Sequence, residues 1–184
     1  MIFFTSDLHF GHAGIIKHSK RPFSTVEEMD AVLIRNWNQY VSKRDEVYIL
    51  GDFTMGSAKT AYMYLSNLKG RKYFIRGNHD RFLAELDGCE NDLDIEWVKD
   101  YYVLSHKSVR YVLFHYPILE WDGYFNGAVH LYGHVHNSKT TLACVETVNR
   151  LAINVGVDVN NYYPLSIDDI EVLIQAIKEK PDRE

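Results

Sequence analysis

Glu46-Val47-Tyr48-Ile49-Leu50-Gly51-Asp52 reads as an apolar strand that stops on a glycine and presents a carboxylate. Glycine tolerates the sharp turn that lets the next side chain lean across a strand end. The same pattern recurs along the chain. Ile2-Phe3-Phe4-Thr5-Ser6 precedes Asp7-Leu8-His9, and residues 72–76 precede Gly77-Asn78-His79-Asp80. Tyr111-Val112-Leu113-Phe114 precedes His115, and residues 129–132 precede Gly133-His134-Val135-His136. Taken singly, each is as readily a polar turn, a capping residue or a satisfied core histidine as a site. Together they bring two Asp, one Asn and four His to the carboxyl ends of strands, the edge at which open α/β sheets bind ligands.

Between these strands the period changes to that of helices. Residues 26–40 predict a helix with Met29, Val32, Leu33, Asn36, Trp37 and Tyr40 on one face, opened by a capping box at Ser24/Glu27 or Thr25/Glu28. Residues 58–69 predict a second, with Ser57 as cap, Ala61, Tyr64, Leu65 and Leu68 inward and Gly70 at its end. A short helix is expected after Asp80. The second half is richer in strands, with hairpins expected from residues 97–105 with 109–115, and from 142–148 with 151–155. A final helix starts at Ser166, with Ile167, Ile170, Leu173, Ile174 and Ile177 as its buried stripe. Strands alternating with helices and then giving way to hairpins imply an α/β chain with one mixed sheet, or two packed sheets, covered by helices.

At 184 residues, without internal repeat or linker, the chain is expected to form a single domain over residues 1–184. A net charge of −5 argues against a general nucleic-acid or membrane coat, though not against a local cationic site made by bound metal. Cys89 and Cys144 form no CxxC and are expected as reduced thiols, Cys144 in a buried strand. The N-terminus lacks a signal-peptide pattern, and no run approaches the ~20 apolar residues of a membrane span. A cytoplasmic protein without a membrane partner is the expectation.

The donor types point to chemistry. Asp7 and His9, two apart at an extended strand end, can grip one ion from the same side, and His134 and His136 repeat the arrangement. A mixture of carboxylate oxygen and imidazole nitrogen suits Mn, Fe, Zn, Co or Ni better than Ca. Asp52 could bridge two ions with its two oxygens, and Asn78 adds an oxygen ligand without further negative charge. Two ions held close together are a known solution for cleaving phosphate esters. His79, pointing elsewhere than Asn78, is placed to act as general acid, with Asp80 or Asp52 orienting its ring. Arg81 is the first choice for a phosphate clamp, and His12 could reach a substrate phosphate. Arg21 and Arg76 also lie near the motifs. His18, His106 and His130 fit no spacing rule and read as structural or surface residues. Residues 121–125, Trp-Asp-Gly-Tyr-Phe, could wall the site or simply pack.

The motif series D-x-H, G-D, G-N-H-D/E, H and G-H-x-H resembles that of the calcineurin-like metallophosphoesterases, and the likeness spans nearly the whole chain. Residues 6–12, Ser-Asp-Leu-His-Phe-Gly-His, and Asn154-Val155-Gly156-Val157-Asp158 resemble a small subgroup of predicted phosphoesterases of bacteria and phages. The resemblance implies a four-layer α/β/β/α sandwich of two mixed sheets flanked by helices. It implies two divalent transition-metal ions, with Mn favoured. One would be held by Asp7, His9, Asp52 and His136, and the other by Asp52, Asn78, His115 and His134. A metal-bridging hydroxide would attack phosphorus in line, and His79 would protonate the leaving oxygen. The expected substrates are phosphate esters, with phosphodiesters of nucleotides or nucleic-acid ends foremost. Phe53-Thr54-Met55-Gly56 stands where many members carry a further Asp or Arg-Gly, which argues against phosphoprotein substrates. The competing expectations are a non-catalytic scaffold on the same fold, against which the retained His79 speaks, and a hydrolase of another ester, for which an H-x-H-x-D-H cluster is missing.

Overall fold

In a computed structural model, described over residues 1–86, 91–139 and 151–179, side-chain parity along the strands separates two cores. Along β1 (Ile2–Thr5), β2 (Glu46–Leu50) and β3 (Arg71–Ile75), the side chains Phe3, Val47, Ile49 and Phe74 turn to one side. There they meet Ile15 of α1 (Ala13–His18), Met29, Leu33 and Trp37 of α2 (Val26–Tyr40), and Ala61 and Leu65 of α3 (Ala58–Leu65). The intervening Phe4, Tyr48, Leu50, Tyr73 and Ile75 face a second sheet. Strands buried on both faces must be apolar throughout, which is why these segments read as continuous hydrophobic runs.

The first sheet has the order β4-β3-β2-β1-β9, with β4 at Ile95–Lys99 and β9 at Leu165–Ser166. Its strands β1 to β4 run parallel and β9 antiparallel. The second is β5 (Tyr101–His106), β6 (Val109–Phe114), β7 (Val129–Tyr132) and β8 (Ala152–Asn154). In it β5 and β6 are antiparallel and the other pairs parallel. Both sheets are thus mixed. They pack through Tyr111, Leu113, Leu131 and Ile153, and Ile167, Ile170 and Ile174 of α4 (Ile167–Lys178) join the same core. Val112 and Tyr132 face outward, under the Trp121–Ala128 loop. The expected two-sheet α/β sandwich flanked by helices is therefore what the chain forms. Among the described residues no helix is long and apolar enough to cross a membrane.

Several local expectations shift. The run expected as one strand over 97–105 is divided at Asp100, so that β4 pairs with β3 and β5 pairs with β6. One strand cannot hydrogen-bond into two sheets that lie face to face, so the chain crosses over here. Helix α3 stops at Leu65 because the Asn67 amide and the Ser66 hydroxyl bond the Met63 carbonyl at 2.7 and 3.1 Å, which ends the ladder before Gly70. Leu173 and Tyr40, expected inward, are exposed. Residues 142–148, Cys89 and Cys144 lie outside the described residues. Thr25 caps α2 by accepting from the Glu28 amide, but the Glu28 carboxylate takes the Ser24 amide at 2.7 Å, so the capping box expected there is not closed. Ser57 caps α3 as expected, and Ser166 forms a capping box with Asp169.

Candidate metal centre

All five motifs emerge from strand ends at one edge of the sandwich, those after β1, β2 and β3 from the first sheet and those after β6 and β7 from the second. The chain turns sharply there. Asp7, His9, Asp52, His134 and His136 have φ values of 57°, 53°, 56°, 71° and 48°, all in the left-handed region. Such a conformation costs a non-glycine residue roughly 1–3 kcal/mol and persists only where the surroundings enforce it. Asp7 and His9 therefore share a side through left-handed turns rather than through the alternation of an extended strand.

Enforcement comes from backbone pairing. Asp7 and His9 donate their amides to the carbonyls of Gly51 and Asp52 at 3.0 Å each. The buried Asp80 carboxylate accepts the amides of Asp52, Phe53 and Gly77, each at 2.8 Å. That use of Asp80 corrects the expectation that it would orient the His79 ring. Gly51, at φ 90°, has no room for a β-carbon, which would strike His115 Nδ1 and the Gly77 backbone.

Two donor groups result. In each of the sets Asp7, His9, His136 and Asp52, His115, His134, one ligand atom per residue lies within 4.8 Å of the others. Asp52 Oδ2 stands between them, 3.6 Å from His9 Nε2 and 3.6 Å from His115 Nε2. Asn78 Oδ1 joins the second group, 3.0 Å from both His115 Nε2 and His134 Nδ1.

Hydrogen bonding tests whether a cation fits. His115 Nδ1 lies 2.7 Å from the Leu50 carbonyl, so it carries the proton and Nε2 presents a lone pair to the Asn78 and Asp52 oxygens. Acceptors converging on one point repel each other unless a cation or a proton sits among them. His9 is buried, and neither of its ring nitrogens has a hydrogen-bond partner. An orphaned buried imidazole is costly and matches the needs of a metal ligand.

The electrostatics agree. Burial pulls the His9 pKa down to about 3, keeping its ring neutral. Burial pushes Asp7 up to about 6, outweighing the attraction of the His136 and His115 rings and the Ser6 hydrogen bond. For Asp52 burial also acts upward, but bonding and attraction to His115 prevail and hold it at about 2. For His115 burial acts downward, but the Asp52 and Asp7 carboxylates and the Leu50 carbonyl together raise it. A proton held there in this way is one that a cation could replace.

Two residues that sequence reasoning did not place act behind the donors. Asp158 Oδ2 lies 2.8 Å from His136 Nδ1, turning that ring's Nε2 toward Asp7 and His9. Arg21 grips the same carboxylate through Nε and Nη2 at 2.8 Å each, and donates to the carbonyls of Leu8 and Asp7. Both side chains of that pair are fully buried. The only signal for Asp158 was its place in the Asn154–Asp158 segment, and Arg21 was visible only as an arginine near a motif.

The remaining expected residues take varied positions. His79 is half-buried at the mouth, with its Nε2 4.0 Å from Asp52 Oδ2 and its amide donated to Asp52 Oδ1 at 2.9 Å. The His12 ring lies 5.5 Å from that of His9, and its Nδ1 is buried without a partner. Arg81 is exposed just past His79 and forms no ion pair among the described residues. His130 is structural as expected, buried against the carbonyls of Val112 and Tyr116. The Trp121 loop packs on the second sheet rather than on the donors, and Tyr116 borders His134 instead.

Residues 1–154 match the family described as calcineurin-like phosphoesterase. An uncharacterized protein of Methanocaldococcus jannaschii is 38% identical over 179 residues, covering 96% of this chain and 93% of its own length. The Gene 66 protein of Mycobacterium phage L5 is 29% identical over 202 residues, 96% of this chain and 95% of that protein. Among solved structures, a protein of unknown function from Aquifex aeolicus superposes with a TM-score of 0.74 at 29% identity, over 94% of this chain and 98% of that one.

Proposed function

The chain belongs to the calcineurin-like phosphoesterase family, and from that premise we propose that it is a two-metal phosphoesterase acting on phosphodiesters of nucleotides or nucleic-acid ends. The observation that carries this reading is the position of Asp52 Oδ2, 3.6 Å from a ring nitrogen of each donor group. An oxygen so placed can be shared by two ions, one held by Asp7, His9 and His136, the other by Asn78, His115 and His134. Mn is the favoured metal of a set that includes Fe, Zn, Ni and Co.

Bound there, two divalent cations would supply Lewis-acid neutralisation of a phosphate and a nucleophile at neutral pH. The protein residues do the rest. Asp7 and Asp52 return only two negative charges against the four positive charges of such a pair, so the cleft stays attractive to a phosphate although the chain is acidic. His79, at the mouth and outside both donor groups, holds a proton for the departing oxygen. Asp52 fixes the His79 backbone through its other oxygen. His12, whose ring lies 5.5 Å from that of His9, and Arg81, exposed two residues after His79, are the proposed phosphate contacts. The cytoplasm, where thiols stay reduced, is the proposed location.

Purified protein loaded with Mn²⁺ should hydrolyse bis-p-nitrophenyl phosphate, and a chelator should abolish turnover. His79→Ala should lose about 10²–10⁴-fold on esters with poor leaving groups while retaining both ions. Loaded protein inert toward every phosphodiester and monoester would leave the scaffold reading in its place.

A further inference from the structure

Tyr116 follows His115 directly, where the chain leaves β6. Its ring centroid lies 4.6 Å from that of His134 and 4.8 Å from that of His115, so it borders the second donor group. The residue is nevertheless 36% exposed, whereas Tyr111 and Tyr132 of the same sheet are buried. Its position is held from behind. The Phe114 ring stands 5.6 Å away, and His130 Nε2 lies 3.1 Å from the Tyr116 carbonyl. Trp121 packs on the His130 ring at 5.1 Å. A partly exposed aromatic ring kept in place beside a donor group is a preformed contact surface.

The first donor group has different neighbours. His9, in the first donor group, has the rings of His12 and His79 each 5.5 Å away, and His18 lies 5.9 Å from His136. The first donor group is thus ringed by further imidazoles, while the second has an aromatic ring beside it. A phosphodiester has two unlike needs of the same sort, a leaving oxygen that must gain a proton and a retained substituent that must only be held. With a net charge of −5 the protein has no general polyanion-binding coat, so a nucleotide must be recognised by local contacts.

We infer that Tyr116 is the stacking face for the nucleobase of the nucleoside that stays on the phosphate, which makes the site selective for nucleoside phosphodiesters over simple alkyl ones. The inference rests on the phosphoesterase reading and adds to it the residue that chooses the substrate. Stacking asks only for a π face, so one ring serves different bases.

The test compares Mn²⁺-loaded wild type, Tyr116→Ala and Tyr116→Phe on thymidine 5′-(p-nitrophenyl phosphate) and methyl p-nitrophenyl phosphate, which share a leaving group. The ratio of kcat/KM for the nucleoside ester to that for the methyl ester should fall about tenfold or more in Tyr116→Ala and be kept in Tyr116→Phe. Calorimetric Kd values for thymidine 5′-monophosphate and inorganic phosphate should change in ratio in the same way. Equal loss on both esters, or an unchanged ratio in Tyr116→Ala, overturns the inference, as does a ratio lost in Tyr116→Phe. If no form turns over either ester, it is the phosphoesterase reading that falls, and the calorimetric ratio still decides whether Tyr116 holds a nucleoside.

Discussion

Asp7 is a carboxylate held where the protein alone does not favour one. It is fully buried, and burial pushes its pKa up to about 6. Because that lies above the unfolded value of 3.8, the ionised group opposes folding at every pH above about 6, and the opposition fades as pH falls toward 3.8. Asp7→Asn should therefore stabilise the metal-free protein at pH 8 by roughly 2–3 kcal/mol. The difference between variant and wild type should shrink as pH is lowered from 6 to 4, as the wild-type carboxylate gains its proton. Urea unfolding in chelator across that range measures it, and a metal-free variant no more stable than wild type at pH 8 contradicts the account. The same substitution should weaken metal binding. Residues of this kind were legible in the sequence because donor types and motif order survive without coordinates. Asp158 and Arg21 were not, since a residue that acts through another is identified by contact, and Arg21 meets Asp158 across 137 positions of sequence.

Helix α4 carries the lesson at the scale of elements. A 3.6-residue period put Ile167, Ile170, Leu173, Ile174 and Ile177 on one stripe, yet Ile170 is fully buried and Leu173 is 38% exposed. The helix lies along one side of the inter-sheet core, which takes Ile167, Ile170 and Ile174 and leaves Leu173, at one edge of the stripe, uncovered. Ile170→Ala should cost about 2–5 kcal/mol, and Leu173→Ala under about 1. Thermal unfolding of the two variants distinguishes them, and equal costs would mean that the helix packs on its whole stripe. Strands β1, β2 and β3 could be read because burial on both faces leaves an apolar run. The split at Asp100 could not, because residues 97–105 are compatible with β pairing throughout and the choice of sheet belongs to the partners.

For the molecule as a whole, each donor group joins the two sheets. Asp7 and His9 come from the first sheet and His136 from the second, while Asp52 comes from the first and His115 and His134 from the second. A cation in either group would tie the layers at the edge where their strands end. Mn²⁺ should therefore raise Tm, by an amount that grows with the logarithm of its free concentration above Kd and is worth about 2.7 kcal/mol at 100 times Kd. Chelator should reverse the rise, and scanning calorimetry measures it. A Tm indifferent to Mn²⁺ would argue that no ion bridges the sheets.

By itself the sequence determined the strand ends that carry the motifs, the identity and order of the donors, and where the capped helices begin, because these follow from local period and residue chemistry. Only the tertiary structure decided that Asp52 Oδ2 stands equally near both groups, that Asp80 secures loops rather than the His79 ring, and that Tyr116 rather than the Trp121 loop borders the donors. Those outcomes depend on how two sheets meet and on left-handed turns imposed by neighbouring backbone, quantities that no single segment carries.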